Sequence, residues 1–330
     1  MGREAKGTLL VLSAAAIWGS SFVVIKLGLE GAPPVTSSLL RFALAALASG
    51  LVLRRLGPLS RAALTDPLVV GLALLNAVGF VLQYLGLAQT NSAVAALLAN
   101  IGVVVVAALS AVYLHERIGA KTAAAVVLAF AGGSLLATRG DLSNLGGTEF
   151  QAALMIAVAS VLWSVYVVLN KLTLERTPHS EEEIAWAVLA LTALLTLPPA
   201  LLWEGFPSLA YSPQTWASIL YAALACSSLS YVIYMKGLRR LSATAAAVLT
   251  VSEVLVAFVL TALVYGYVVQ GAAALGAAMV LVGIVLASGA AASPGGPSST
   301  PSTQDPKSNQ PNGEEKEEGG SKQEPPRPAR

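Results

Sequence analysis

Ten stretches of this chain are apolar for long enough to cross a membrane as helices, and nothing else in it constrains the fold as much. They lie near 7–29, 35–53, 67–87, 93–114, 119–138, 150–172, 184–203, 214–235, 243–265 and 270–291. About 20 apolar residues in a helix span roughly 30 Å of hydrocarbon. The runs are continuous and rich in Ala and Leu, without the alternation of a lipid-facing barrel strand. Hydrophobic residues make up 55% of the chain and charged residues 12%, against about 25% charged in an average soluble domain. Water cannot accommodate that much apolar surface, whereas a bilayer can. The expected fold is an all-α membrane protein with ten transmembrane helices.

The N-terminus has Arg3 and Lys6 ahead of an apolar run, with small residues from Ser13 to Ala16. That is also the layout of a signal peptide, but the run continues to Leu29 and nine more follow. It is read as a retained helix, with cleavage as the alternative. Loop charges set the orientation. One side collects Arg3, Lys6, Arg54, Arg55, Arg61, Arg117, Lys121, Arg176, Lys236, Arg239 and Arg240, and the other only Arg139. The positive side is the cytoplasmic one, which predicts a multi-pass plasma-membrane protein with both termini inside. Residues 293–330, rich in Pro, Gly, Ser and mixed charge, bury too little to offset ordering entropy and are expected to form a disordered cytosolic tail.

The chain repeats internally. Trp18 precedes Lys26 by eight residues, and Trp163 precedes Lys171 by the same interval, 145 residues further on. The run GLAQTNSAVAALLANIGVVVVAAL from Gly86 aligns with GLRRLSATAAAVLTVSEVLVAFVL from Gly237, an offset of 151. The halves are 1–140 and 146–292, with five spans each. Five is odd, so the second half enters the membrane from the opposite side. Inverted repeats of this kind are the architecture of secondary transporters.

WGSSFVVIK in the first span, SLLRF at 38–42, the run from Gly86 through the fourth span and SEV at 252–254 together resemble the drug/metabolite transporter superfamily. The match is closest to its EamA-type members, which carry two EamA repeats, and it covers nearly all of residues 7–291. The resemblance implies a central cavity between the halves and the export or exchange of amino acids, metabolites or drugs. The chain departs from that family at several points. Val254 and Val103 stand where the family often has proline, which implies straighter helices here. The family's Gly-Glu at the end of the fourth span reads His115-Glu116, and its second-repeat counterpart reads Gly266-Tyr267. Arg41 maps onto Trp186.

Charges inside a membrane default to functional hypotheses. Four lie well within the spans: Lys26, Arg41, Lys171 and Glu253. Lys26 shares a helix face with Gly19 and either lines a cavity or snorkels to headgroups; Lys171 is read as snorkelling. Arg41 is either a tie to helix-end carbonyls or headgroups, or a clamp for a carboxylate. Glu253 is the one acid in any span interior. It either carries a proton during transport or accepts a hydrogen bond from a substrate amine; the alternative is a fixed interhelical hydrogen bond or ion pair. Trp18 and Trp163 hold equivalent places as a cavity-facing pair or as packing. Asn76, Gln83, Asn100, Tyr166, Asn170, Ser227, Ser228, Ser230, Tyr231 and Tyr234 add neutral polar groups that must face protein or water. The expected substrate-binding set is Trp18, Lys26, Arg41, Gln83, Asn100, Trp163, Tyr166 and Tyr231, with Glu253 for proton coupling.

Other chemistries find little support. HExxH, GxSxG and P-loop motifs are missing, so no catalytic residue, enzyme activity or cofactor is expected, and transport energy would come from gradients. His115 and His179 lie at helix ends without a metal-ligand cluster, and the single Cys226 excludes an internal disulfide. No basic stripe invites nucleic acid. The expected partners are the lipid bilayer and a small-molecule substrate, an amino acid or an amphipathic compound. The expected activity is proton-coupled export by alternating access, with passive exchange as the alternative. A non-transporting receptor or scaffold is the rival reading.

Overall fold

The polar residues that punctuate the apolar runs set where each helix starts. Ser180 caps one helix through a capping box: its hydroxyl accepts from the Glu183 N–H (3.2 Å), and the Glu183 carboxylate accepts from the Ser180 N–H (3.0 Å). Asp66 accepts from the Leu68 N–H (2.9 Å) ahead of Pro67, and Ser212 from the Thr215 N–H (3.2 Å) ahead of Pro213. In each case proline fills a first-turn position that has no intrahelical donor role.

The computed structural model describes residues 2–56, 61–90, 92–100, 102–116, 118–138, 148–265 and 271–291, and its regular elements are all helical. In chain order they are α1 (Arg3–Gly28), α2 (Pro34–Leu56), α3 (Pro67–Gln89), α4 (Ser92–Ala99), α5 (Gly102–Tyr113), α6 (Ala120–Thr138), α7 (Thr148–Arg176), α8 (Glu181–Trp203), α9 (Pro213–Ala223), α10 (Ser230–Leu238), α11 (Ala243–Thr250), α12 (Ser252–Tyr265) and α13 (Ala272–Ala291). Among the described residues seven stretches are long and apolar enough to cross a membrane: Arg3–Gly28, Pro34–Arg55, Pro67–Gln89, Leu154–Arg176, Glu181–Trp203, Pro213–Leu238 and Ala243–Val264. The other three expected spans contain shorter apolar helices, Gly102–Tyr113, Ala120–Gly132 and Ala274–Gly283. The expected tail, Arg117, Arg139 and Gly266-Tyr267 lie outside the described residues.

The helices pack in a pattern that survives exchange of the two halves. α1 lies along α9, α10, α11 and α12, while α7 lies along α3, α4 and α5. α2 packs on α8, and α6 on α13. Close approach needs small residues at matching places. A methyl group on Gly19 would overlap the Glu253 backbone, and one on Gly102 would overlap Ser160 and Ser164. Gly19 and Ser164 are equivalent by the first offset, Glu253 and Gly102 by the second.

The expectation of straighter helices at Val103 and Val254 is overturned. Both spans break just ahead of these residues, between α4 and α5 and between α11 and α12. The ladder tightens to three-residue spacing: Val103 N–H to the Asn100 carbonyl (3.2 Å), Val251 N–H to Val248 (3.2 Å) and Val254 N–H to Val251 (3.0 Å). Side chains divert the backbone groups. Asn100 Nδ2 donates to the Ala96 carbonyl, Thr250 Oγ1 to the Ala246 carbonyl, and Ser160 Oγ accepts from the Gly102 N–H. A side chain inserted into the ladder interrupts a helix as proline would.

The lysines answer a different need from either one expected. Lys26 Nζ donates to the carbonyls of Leu87 (2.9 Å) and Ala88 (3.0 Å), in the last turn of α3. Lys171 Nζ donates to the carbonyls of Leu238 (3.1 Å) and Leu241 (2.9 Å), at the end of α10. The last carbonyls of a helix have no intrahelical donor and carry its negative dipole end, so an ammonium there is favourable twice over. Leu87 and Leu238 are equivalent by the second offset.

Candidate functional site

Between the halves lies a cavity of about 150 Å³ whose walls come from α1 to α5, α7 and α10 to α12. Behind two of its lining residues, Trp18 and Arg41, the eighth span is interrupted. Leu224–Leu229 forms a wide π-helical turn between α9 and α10, a feature that frees backbone groups and recurs at functional sites. Here it presents the Cys226 carbonyl to three donors: Ser230 Oγ (2.6 Å), Trp18 Nε1 (2.9 Å) and Arg41 Nη2 (3.3 Å).

Arg41, from α2, is only 1% exposed. Its Nε donates to Ser227 Oγ (2.8 Å) and its Nη1 reaches the Tyr84 hydroxyl (3.4 Å). The guanidinium lies over the Phe80 ring (4.6 Å) and near Phe42 (5.1 Å), which stabilises a desolvated cation through the ring quadrupole. Glu253, at the break between α11 and α12, is 8% exposed and accepts from Asn100 Nδ2 at 2.7 Å. Arg41 and Glu253 line the same cavity without forming an ion pair with each other or with any other described residue.

The aromatic walls follow the internal repeat. Trp18 meets Tyr231 edge-on with ring centroids 6.1 Å apart, and Trp163 meets Phe80 at 5.0 Å. Trp18 and Trp163 correspond by the first offset, Phe80 and Tyr231 by the second. Tyr231 donates to Asn76 Oδ1 (2.8 Å), and Asn76 Nδ2 donates to Thr192 Oγ1 (3.0 Å). Gln83 Oε1 and the Tyr166 hydroxyl, both lining the cavity, are buried and make no hydrogen bond among the described residues.

The structure therefore brings Trp18, Arg41, Gln83, Asn100, Trp163, Tyr166, Tyr231 and Glu253 to one cavity. Lys26 is not among the lining residues; its ammonium is committed to α3. At the start of α2 the Glu204 carboxylate holds the N–H groups of the buried Thr36 (2.7 Å) and of Val35 (3.0 Å). Sequence reasoning missed Phe80, Ser21, Ser160 and Ser164 as lining residues. Phe80 was within reach, because the second offset maps it onto Tyr231.

A polytopic helical bundle whose two halves enclose a mainly apolar cavity set with a few polar side chains has the form of a membrane transporter. The model of the EamA-like transporter family matches the chain twice, over residues 5–138 and 150–289, and the chain belongs to that family. A protein of Archaeoglobus fulgidus described as an uncharacterized transporter is 29% identical over 249 residues, which is 74% of this chain and 84% of the relative. One solved crystal structure superposes with a TM-score of 0.71 at 20% identity, covering 88% of this chain and 99% of the other, and so shares the fold.

Proposed function

We propose that the chain is a secondary transporter that exports a small organic molecule through the central cavity by alternating access. One observation carries the reading: Arg41 and Glu253 are both buried at the cavity wall and neither is neutralised by the other. A purely structural pair would be expected to meet, since a buried charge is costly unless paired. Aromatic walls with a few convergent polar groups suit a ligand with polar and apolar parts. In this reading Trp18, Trp163 and Tyr231 form the walls, and Arg41, Gln83, Asn100 and Tyr166 supply polar contacts. The halves 1–140 and 146–292 rock against each other, exposing the cavity to one side at a time. The distribution of loop Lys and Arg supports a plasma-membrane orientation with cytoplasmic termini.

Glu253 is assigned the coupling proton. Its Oε1 is held by Asn100, and its second oxygen makes no hydrogen bond with a described residue. The test is counterflow of labelled solutes in proteoliposomes under imposed pH gradients. Wild-type flux is expected to respond to the gradient. Glu253→Gln, which keeps the Asn100 contact, is expected to retain counterflow and lose that response. Identical flux–pH curves for the two proteins remove proton coupling, and no flux of any solute removes the transport reading.

A further inference from the structure

We infer that the transported molecule is a monocarboxylate with an apolar body, and that its carboxylate docks on Arg41. The inference rests on the transport reading of the cavity and names its substrate class. A guanidinium carries five N–H donors. Three are engaged, by Ser227 Oγ, the Tyr84 hydroxyl and the Cys226 carbonyl, which leaves one on each terminal nitrogen. Those two nitrogens are the pair that meets both oxygens of a carboxylate in the bidentate geometry.

The surroundings bias the site the same way. Among the described residues no carboxylate lies within ion-pair distance of Arg41. Its neighbours are two phenyl rings, a tyrosine, a serine and a carbonyl, so its charge is partly stabilised and not neutralised. Gln83 stands one turn beyond Phe80 on α3, on the face that lies under the guanidinium. It is 4% exposed and its Oε1 has no hydrogen-bond partner among the described residues, so nothing there fixes which way the amide faces, and with Nε2 turned inward it adds a donor to the same anion.

Charge count decides between anions. Among the described residues Arg41 is the one basic side chain lining the cavity, and Glu253 lines it too. A single cation facing an acid matches a monoanion and mismatches a phosphate dianion. Trp18, Trp163 and Phe80 then receive the apolar remainder.

The experiment is a thermal-shift and equilibrium-binding panel on the purified full chain in detergent. The probes are aliphatic and aromatic monocarboxylates and α-amino acids, phenylpropionate and phenylalanine among them, each paired with its primary amide. Acids are expected to raise the melting temperature and to bind at least tenfold tighter than their amides. Arg41→Gln is expected to abolish that preference. Arg41→Lys, which keeps the charge and loses the fork, is expected to restore only part of it. The acid–amide comparison in wild type needs no variant, so a poorly folded Arg41→Gln leaves the test intact. Amides that bind as well as acids, or a panel in which no acid binds, overturn the assignment. Acids that bind but never cross a proteoliposome membrane leave it standing and overturn the transport reading instead.

Discussion

Asn76 shows what a single polar side chain does inside a bundle surrounded by hydrocarbon. It accepts from Tyr231 on α10 and donates to Thr192 on α8, tying three helices through one amide. Interhelical hydrogen bonds in membranes average about 0.6 kcal/mol and reach about 1.7 kcal/mol. Asn76→Ala removes two at once and strands two hydroxyls, so it is expected to destabilise the protein by about 1–2 kcal/mol. Tyr231→Phe removes one and should cost about half as much. Reversible unfolding in mixed micelles measures both; equal costs for the two variants would mean the Thr192 bond contributes nothing. That Asn76 and Tyr231 must face protein or water was readable from the sequence, because lipid offers no partner. That they face each other was not, since they are 155 residues apart and meet only after α3 and α10 have packed. Lys26 was harder still: its partners are backbone carbonyls, which leave no mark in a sequence.

At the level of the element, the end of the fourth span repays close reading. α5 closes with His115 in the left-handed conformation, φ 52°. The N–H groups of Leu114 (3.0 Å) and Glu116 (3.1 Å) both return to the Ser110 carbonyl. The chain leaves the helix through a left-handed residue, a conformation that glycine usually supplies at a helix C-terminus. Histidine there strains its Cβ against the backbone, at about 1–2 kcal/mol. His115→Gly is expected to relieve the strain, offset in part by the freer unfolded chain. The net gain should be about 0.5–1 kcal/mol, visible as a rise of a few degrees in the melting temperature; a lower melting temperature would show that the imidazole makes a contact worth more than the strain. The resemblance had flagged this dipeptide as a departure from Gly-Glu, yet side-chain chemistry alone reads it as a charged loop. The breaks at Asn100 and Val251 were misjudged for a related reason. Proline is a visible breaker, whereas Asn100, Thr250 and Ser160 break helices only where a backbone group comes within reach.

Across the whole molecule, the halves share positions and differ in chemistry. The two offsets were enough to expose the repeated architecture, because helix packing repeats wherever small and aromatic residues recur. They place Glu253 opposite Gly102, Gln83 opposite Tyr234 and Arg41 opposite Trp186, so the cavity's charges come one from each half with no counterpart. The same asymmetry reaches the ends of the spans. The Glu116 carboxylate takes the Ala243 N–H (2.7 Å), the Thr244 N–H (3.2 Å) and the Thr244 hydroxyl (2.8 Å), binding the end of α5 to the first turn of α11 in the other half. Charge-assisted bonds at a helix N-terminus are among the stronger polar contacts available. The second offset maps Glu116 onto Tyr267, which has no carboxylate to offer. The position equivalent to Glu116 thus carries no carboxylate clamp of its own, while the other face of the bundle is fastened by a different pair, Glu204 on the first turn of α2, so releasing Glu116 alone would tilt the rocking toward opening the face that carries it. Weakening the contact by about 1 kcal/mol shifts the population about fivefold. In a Cys226→Ser background, Ala247→Cys places a thiol on the cavity wall one turn beyond Thr244. Adding Glu116→Gln should raise its reaction rate with a charged, membrane-impermeant thiol reagent about fivefold, and only from the face that carries Glu116. A rate unchanged in folded protein, or raised equally from both faces, would mean that Glu116 fastens α11 without governing access to the cavity.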